Sequence, residues 1–384
     1  MIESKLAVIA EQDLRRHRRL VDSPCGPRML VDGRSVLAFA SNDYLGFAND
    51  QRLIEAAVDG ARRWGVGAGA SHYLGGHFRP HHDLEHRLAQ FLGLDAASLF
   101  STGYMANLGA VTAMVGRGDA VFADRLNHAS LIDAVRLSGA DSHRYGHGDV
   151  ASLERLMVKS KARIRLIVTD GVFSMDGDIA PLPDLLTVAE RHDAWLLVDD
   201  AHAFGVLGPK GRGTSAFYGL SSPRLLVVGT LGKAAGVAGA FVAASALASR
   251  WLQQMARTAI FTTASPPMLA CALIESLRLI EDADDRRQHL TDLIRRFRHA
   301  AEPVCASRGW RLSPSETAIQ PLVVGGNVEC LALSDALLAR GIWAPAIRPP
   351  TVPAGQARLR ISLSAAHSAD DVDQLIEALS ALPT

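Results

Sequence analysis

Polar residues that could carry chemistry follow several apolar runs of this chain, at the points where strands are expected to end. Ligands of parallel sheets bind beyond the carboxyl ends of the strands, so these side chains are predicted to converge at one rim. The residues are Asp199 and His202 in VDDAH, Thr230 and Lys233 in GTLGK, Ser174 in DGVFSMDGD, and positions 101–104 in FSTGYMAN.

A lysine and an aspartate in this set point to a particular chemistry. Lys233 stands between Gly232 and Ala234, and these small neighbours leave space around its amine. A buried lysine amine can act as nucleophile and base, which suits a cofactor with an aldehyde such as pyridoxal phosphate. Asp199 suits pairing with the ring nitrogen of that cofactor. A carboxylate there keeps the nitrogen protonated, and the ring can then accept electrons from a carbanion.

The segment 101–104 lies between an expected strand and a helix predicted from Tyr104 to about Val115. Free backbone N–H groups at a helix start bind phosphate, and Gly103 permits close approach. Most strand-to-helix turns contain Gly or Ser for conformational reasons alone. This turn is therefore evidence for a phosphate site only in combination with Lys233 and Asp199.

The elements that must position these residues are short apolar runs alternating with helical patterns. This alternation predicts an α/β fold with a mostly parallel central sheet and helices on both faces. The runs are ASLF (97–100), AVFAD (120–124), RLIVTD (165–170), AWLLVD (194–199), RLLVVG (224–229) and GAFVAA (239–244).

Beyond these runs the pattern changes to that of a smaller α+β domain. Helical periodicity covers 265–308, and strands are predicted at 318–324 and 357–363 with helices near 330–340 and 369–381. We expect three segments: an N-terminal helix with a small-domain segment (1–45), a large α/β domain (46–283) and a C-terminal α+β domain (284–384). The first twenty residues read as one amphipathic helix.

Composition excludes several function classes. Forty Lys and Arg balance forty Asp and Glu, so no overall positive field favours nucleic acid or anionic membrane. The opening segment lacks the apolar stretch of a secretory signal, and a cytoplasmic protein without membrane spans is expected. The cysteines lack metal-binding or redox spacing, and no metal is expected. They are Cys25, Cys271, Cys305 and Cys330.

Motifs across nearly the whole chain resemble those of the α-oxoamine synthases, which are fold-type I enzymes dependent on pyridoxal 5'-phosphate. They are SNDYLGFA (41–48), DRLNHASLIDA (124–134), TDGVFSMDGDIAPL (169–182), VDDAHAFGVLG (198–208), GTLGK (229–233) and IRPPTVPAGQARLRISLSAAH (347–367).

The resemblance implies a role for each matching residue. Lys233 would bind the cofactor aldehyde, Asp199 would pair with the pyridine nitrogen, His202 would bond the ring hydroxyl and His128 would stack on the ring. These four are the expected catalytic residues. Further cofactor contacts are implied for Gly103, Tyr104, Thr230 and Ser174, and substrate contacts for Asn42, Arg348, Thr351 and Arg16. The run RRHRR leaves the Arg16 match ambiguous by one residue.

The string IRPPTVP resembles the members that join L-alanine to a pimeloyl thioester, on coenzyme A or acyl carrier protein, on the route to biotin. A member using glycine with a short acyl-CoA is the alternative. The resemblance also implies a homodimer in which Thr262 or Thr263 reaches the partner's phosphate. The chain departs from its relatives at GAGASH (67–72) and at Ala234 and Ala235, which puts substrate fit and rate in doubt.

Two other functions, a zinc peptidase and a DNA-binding regulator, are compatible with parts of the sequence. His82, Glu85 and His86 match HxxEH, a zinc-peptidase signature, but leucines at helical spacing place His82 and Glu85 on the wet face of an amphipathic helix. A DNA-binding regulator of the same fold would carry an added helix-turn-helix domain. Only about 40 residues precede SNDYLGF, too few for such a domain.

Overall fold

The computed structural model describes residues 1–382, and over this range there are fourteen α-helices, two short 3-10 helices (His72–Leu74 and Pro209–Gly211) and fourteen strands. The helices are α1 (Ile2–Glu11), α2 (Gln51–Trp64), α3 (Arg79–Leu92), α4 (Gly103–Met114), α5 (Ala129–Ser138), α6 (Val150–Lys159), α7 (Leu182–Arg191), α8 (Thr214–Phe217), α9 (Ala246–Met255), α10 (Arg257–Ile260), α11 (Pro267–Glu281), α12 (Asp284–Arg308), α13 (Asn327–Ala339) and α14 (Ala369–Ser380).

The strands are β1 (Arg28–Val31), β2 (Arg34–Ala38), β3 (Ala96–Phe100), β4 (Ala120–Asp124), β5 (Asp141–Tyr145), β6 (Arg165–Asp170), β7 (Trp195–Asp199), β8 (Leu225–Thr230), β9 (Ala240–Ala244), β10 (Arg311–Leu312), β11 (Ile319–Gly325), β12 (Ile342–Trp343), β13 (Ala346–Ile347) and β14 (Ala357–Ser362).

The chain divides into two compact units. The larger unit comprises Asn49–Ser174 and Ile179–Asp284. The smaller unit comprises Met1–Ala48, Met175–Asp178 and the chain from Asp285 onwards. Residues distant in sequence thus build the smaller unit together.

A seven-stranded sheet forms the centre of the larger unit, in the order β3-β9-β8-β7-β6-β4-β5. The neighbours from β8 through β5 pair in parallel, and β9 runs antiparallel to both β8 and β3. The predicted mostly parallel sheet is confirmed. The parallel strands place their carboxyl ends, among them Asp170 and Asp199, along one edge.

Successive residues of the central strands pack into two different cores. Val121, Leu197 and Leu226 belong to a core with α4, α5 and α9. Their neighbours Phe122, Leu196 and Leu225 belong to a core with α6 and α7. Side chains alternate between the faces of a strand, so helices cover both faces, as predicted.

The smaller unit contains two sheets. In one, β1 and β2 form an antiparallel pair and β12 lies parallel to β2. In the other the order is β10-β11-β14-β13, with antiparallel pairing throughout. The predicted strands at 318–324 and 357–363 correspond to β11 and β14, whereas β1, β2, β10, β12 and β13 were not predicted.

One helix prediction was wrong in extent. The N-terminal helix ends at Glu11, because Asp13 adopts a left-handed φ of 55° that interrupts the helix. The arginines of RRHRR then lie outside it, where their like charges do not repel along one helix face. The helical periodicity predicted over 265–308 agrees with α11 and α12, which are separated at Asp282 and Ala283. No helix within residues 1–382 is both long and apolar enough to cross a membrane.

Candidate active site

A cavity of about 220 Å³ lies in the larger unit at the carboxyl ends of the parallel strands. Seven of the eight predicted cofactor residues line it: Gly103, Tyr104, His128, Asp199, His202, Thr230 and Lys233. Ser174, four residues beyond the end of β6, is not among the lining residues. The structure thus brings most of the predicted set to one place.

Lys233 and His202 form the reactive side of this cavity. The Lys233 Nζ atom lies 2.9 Å from His202 Nε2, and both side chains are half-buried. Lys233 follows β8 by three residues and His202 follows β7 by three, and these two strands are parallel neighbours. The strand pairing therefore sets the distance between an amine and an imidazole that are 31 residues apart in sequence.

Asp199 is the last residue of β7 and is buried. Its Oδ1 accepts a hydrogen bond from Ala201 N at 3.1 Å, and its Oδ2 accepts one from Asn107 Nδ2 at 2.6 Å. Each carboxylate oxygen of Asp199 therefore accepts a hydrogen bond. This arrangement holds the plane of the carboxyl group in one orientation at the cavity wall.

His128 caps the N-terminus of α5, and its ring is held from two sides. Its Nδ1 lies 2.7 Å from Ser130 Oγ, and its backbone N–H donates to Asp170 Oδ1 at 3.0 Å. Burial lowers the pKa of His128, and Lys233 adds to this effect while Asp199 opposes it. The ring is therefore neutral near pH 7.

Asp170 ends β6 directly beside Asp199, with which it pairs in the sheet register. It is fully buried, and burial together with the charge of Asp199 holds its pKa well above the ordinary value. Two adjacent carboxyl groups in one buried edge do not readily carry two charges. Asp170 therefore keeps its proton to a higher pH than an ordinary carboxyl group does.

The first turn of α4 lines the cavity with Gly103 and Tyr104. Thr102 caps the helix by accepting from Met105 N, and the leading N–H groups of a helix have no partner within the helix. A Cβ on Gly103 would meet Thr230 Cβ at 3.7 Å, an ordinary contact, and Gly103 does not have a positive φ. Protein packing therefore does not require glycine here, and its absent side chain leaves the helix start open to a ligand.

Five residues that line the cavity were not predicted from the sequence: Val172, Ala201 and the polar residues Asn107, Ser130 and Asp170. Asn107 lies one helical turn after Gly103, so the helical spacing in FSTGYMAN was the available signal. Ser130 and Asp170 stand inside motifs already quoted, NHAS and TDG. Their contacts depend on chain segments far away in sequence.

The predicted substrate residues all belong to the smaller unit. The Asn42 Oδ1 atom accepts from Tyr44 Oη and from Arg360 Nη1, each at 3.1 Å. Arg348 donates to the carbonyl oxygens of Asp13 and Arg15. Arg16 and Thr351 are exposed.

The residues of HxxEH do not converge on a common point. His82 is exposed, as predicted, and His86 Nε2 lies 3.0 Å from Gln90 Nε2. Glu85, in contrast, is turned inward and accepts from Leu99 N at 2.9 Å. Its placement on the wet face was wrong, because this backbone N–H at the strand edge draws the carboxyl group inside.

A different histidine cluster lies nearby, formed by His72, His77 and His81, whose nearest ring nitrogens lie within 4.8 Å of one another. Both nitrogens of His81 are engaged: Nδ1 accepts from Phe78 N and Nε2 bonds Ser265 O. His72 and His77 bond each other through their Nδ1 atoms at 2.9 Å. These hydrogen bonds engage four of the six ring nitrogens of the cluster, and the expectation of no metal stays a prediction.

Glu85→Gln is expected to stabilise the protein at alkaline pH. Burial raises the pKa of Glu85 from 4.5 to about 7. Below pH 4.5 the group is protonated in both folded and unfolded chains. As the pH rises through 7 only the wild type must bury a charge, so the glutamine gains about 1–3 kcal/mol in free energy of unfolding. Urea unfolding at pH 5 and pH 8.5 measures the difference.

Glu281→Gln, at an exposed glutamate at the end of α11, is the matched control and should change stability little at either pH. An equal effect of Glu85→Gln at both pH values would show that the buried charge does not set the difference.

Known proteins are similar to this chain over nearly the whole length of both sequences. The Aminotransferase class I and II family matches residues 34–379. An 8-amino-7-oxononanoate synthase from Azoarcus sp. (strain BH72) is 61% identical over 99% of this chain and 97% of its own. One from Herminiimonas arsenicoxydans is 59% identical over 99% of this chain and 98% of its own.

The fold is shared with solved structures as well. A serine palmitoyltransferase variant from S. paucimobilis with a bound PLP–myriocin aldimine is 30% identical, with a TM-score of 0.93. The similarity covers 99% of this chain and 98% of that one.

Proposed function

We propose, from the premise that this chain belongs to the class I and II aminotransferase family and within it to the 8-amino-7-oxononanoate synthases, that it joins L-alanine to a pimeloyl thioester. The products are 8-amino-7-oxononanoate, carbon dioxide and the free thiol, on the route to biotin. The observation that carries the proposal is the meeting of Lys233, His202, Asp199 and His128 around one cavity.

The residues of this cavity fit pyridoxal 5'-phosphate. An amine for the aldehyde comes from Lys233, and a carboxylate for the ring nitrogen comes from Asp199. His202 is the partner for the ring hydroxyl and His128 for the ring face. The open start of α4 at Gly103 and Tyr104, with the hydroxyl of Thr230, suits the phosphate. Ser174 is proposed as a further contact beside the ring.

When bound, this cofactor supplies an electron sink for negative charge at the α carbon of an amino acid. Lys233 is proposed as the base that takes the α proton onto Nζ. The His202 Nε2 atom, 2.9 Å away, orients that amine. Asp199 keeps a proton on the ring nitrogen, and the neutral His128 ring offers a flat, uncharged surface.

Residues of the smaller unit are proposed to bind the substrates. Arg348 would grip the alanine carboxylate, for which a planar guanidinium with two parallel donors is suited. Its terminal nitrogens now donate to the backbone of residues 13 and 15, so substrate binding requires an exchange of these bonds. Asn42 would contribute its NH2 group, since its oxygen accepts from Tyr44 and Arg360. Thr351 and Arg16 would meet the acyl chain.

We further propose a cytoplasmic homodimer that receives the acyl group from coenzyme A or acyl carrier protein, with Thr262 or Thr263 near the phosphate of the partner subunit. A structure with cofactor in which both hydroxyls are remote from it would exclude that contact.

A panel of amino acids against acyl thioesters tests the proposed reaction. Alanine should be preferred over glycine and serine, and pimeloyl over acetyl, succinyl and palmitoyl thioesters. Product formation and thiol release are measured together, and restored growth without biotin of a strain lacking this step is the cellular counterpart. Efficient use of glycine with a short acyl thioester, and none of alanine with pimeloyl thioester, would contradict the assignment.

A further inference from the structure

Asn107 on α4 connects two residues of the proposed cofactor site. Its side chain is buried, with the residue 1% exposed. The Nδ2 atom donates to Asp199 Oδ2 at 2.6 Å and to Ser130 Oγ at 2.8 Å. An amide nitrogen carries two hydrogens, and both are used on these contacts.

The orientation of this amide is determined by its neighbours. If it were reversed, the Asn107 oxygen would face Asp199 Oδ2, and two acceptors would stand at hydrogen-bond distance. In the orientation present, Oδ1 is buried and has no hydrogen-bond partner within the described residues. An unpartnered buried carbonyl is costly in a folded protein, so the contact with Asp199 outweighs that cost.

The second hydrogen of the amide sets the state of His128. Because Ser130 Oγ accepts from Asn107, its own hydrogen is available to His128 Nδ1 at 2.7 Å. The backbone N–H of Ser130 also donates to this nitrogen at 3.3 Å. The Nδ1 atom is therefore an acceptor, and the ring proton of the neutral imidazole lies on Nε2.

We propose that Asn107 is a positioning residue that holds the Asp199 carboxylate toward the cofactor ring nitrogen and, through Ser130, fixes the tautomer of His128. The inference deepens the proposed function and rests on it. The Asn107 amide thereby connects Asp199, which is proposed to pair with the ring nitrogen, to His128, which is proposed to stack on the ring face.

The charge on Asp199 is sensitive to several titratable neighbours. Asp170 ends the adjacent strand β6, Asp200 follows in sequence, and three basic groups complete the surroundings: His128, His202 and Lys233. All remain when Asn107 alone is replaced. Removing the Asn107 donor takes this hydrogen bond from Asp199 Oδ2, so the carboxylate of the variant should hold the ring nitrogen less well.

The experiment compares Asn107→Leu, of similar volume and without donors, with Thr112→Val on the same helix. Thr112 donates only to the helix carbonyl of Leu108, so its replacement tests helix integrity. Dissociation constants are measured at neutral pH for pyridoxal phosphate and for an analogue with carbon in place of the ring nitrogen. Both ligands keep the aldehyde for Lys233 and the phosphate.

Wild type and Thr112→Val should prefer pyridoxal phosphate over the analogue to the same extent, because only pyridoxal phosphate offers a ring nitrogen to Asp199. In Asn107→Leu this preference should fall by about tenfold, since a hydrogen bond to a charged group corresponds to a tenfold or larger effect. An unchanged preference, with both ligands weakened equally or not at all, would show that Asn107 has only a packing role and would overturn the inference.

Failure of wild type to link either aldehyde to Lys233 would instead contradict the proposed function, so the two failures are distinguishable. If the leucine variant does not fold, Asn107→Ala makes the same comparison, because it removes the donor and leaves no bulk to accommodate.

Discussion

Lys233→Ala is expected to abolish turnover and the covalent attachment of pyridoxal phosphate while leaving the fold intact. The side chain is half-buried at the cavity wall and supplies its amine. Its removal eliminates the proposed base, a role that contributes roughly 10²–10⁴-fold by itself, together with covalent anchoring of the cofactor. Borohydride reduction followed by peptide mass analysis locates the link in the wild type, and steady-state assays give the loss of rate.

Lys210→Ala is the matched control. This lysine lies in the same unit, is exposed, and bonds Asp284 at 3.1 Å. Its replacement should leave both the reduced adduct and the rate close to those of the wild type. An adduct mapped to any lysine other than Lys233 would refute the assignment of the cofactor-binding amine.

Asp199→Asn is expected to slow removal of the α proton by about 10²–10⁴-fold with little change in structure. An amide in place of the carboxylate no longer keeps the ring nitrogen protonated, and an unprotonated ring accepts electrons poorly. Exchange of the α proton of alanine with deuterated solvent, followed by NMR without any thioester, isolates this step. Circular dichroism melts report whether the fold is retained.

Asp200→Asn provides the neighbouring control. Asp200 accepts from both the backbone N–H and the hydroxyl of Thr214, so it serves the local loop. Its replacement should lower thermal stability more than proton exchange. Near-normal exchange in Asp199→Asn, with loss of exchange in Asp200→Asn, would transfer the electronic role to Asp200.

Most elements of the larger unit could be predicted from the chain alone. Central strands such as β4 and β7 are buried on both faces, so they must be almost wholly apolar and stand out from the helical pattern. The edge strand β5, with the sequence DSHRY, pairs on only one side and carries polar residues. Its strand character comes from pairing with β4, which no local pattern reveals.

The smaller unit was less predictable because its strands are short and their partners distant. The two residues of β12 pair with β2, about 300 positions earlier in the chain. Similarly, the end of α1 depended on the backbone conformation of Asp13. Hydrophobic periodicity does not record a single turn of this kind.

At the active site, the sequence by itself determined which reactive groups exist and that they follow strand ends, since an amine, a carboxylate and two imidazoles in such positions depend only on local order. The tertiary structure decided which other side chains form hydrogen bonds with these reactive groups and fix their orientation. Asn107 meets Asp199 across 92 positions and Ser130 across 23. Orientation, tautomer and the burial that shifts the pKa of His128 and Asp170 arise only when the sheet brings these segments together, because hydrogen bonding and desolvation act through space.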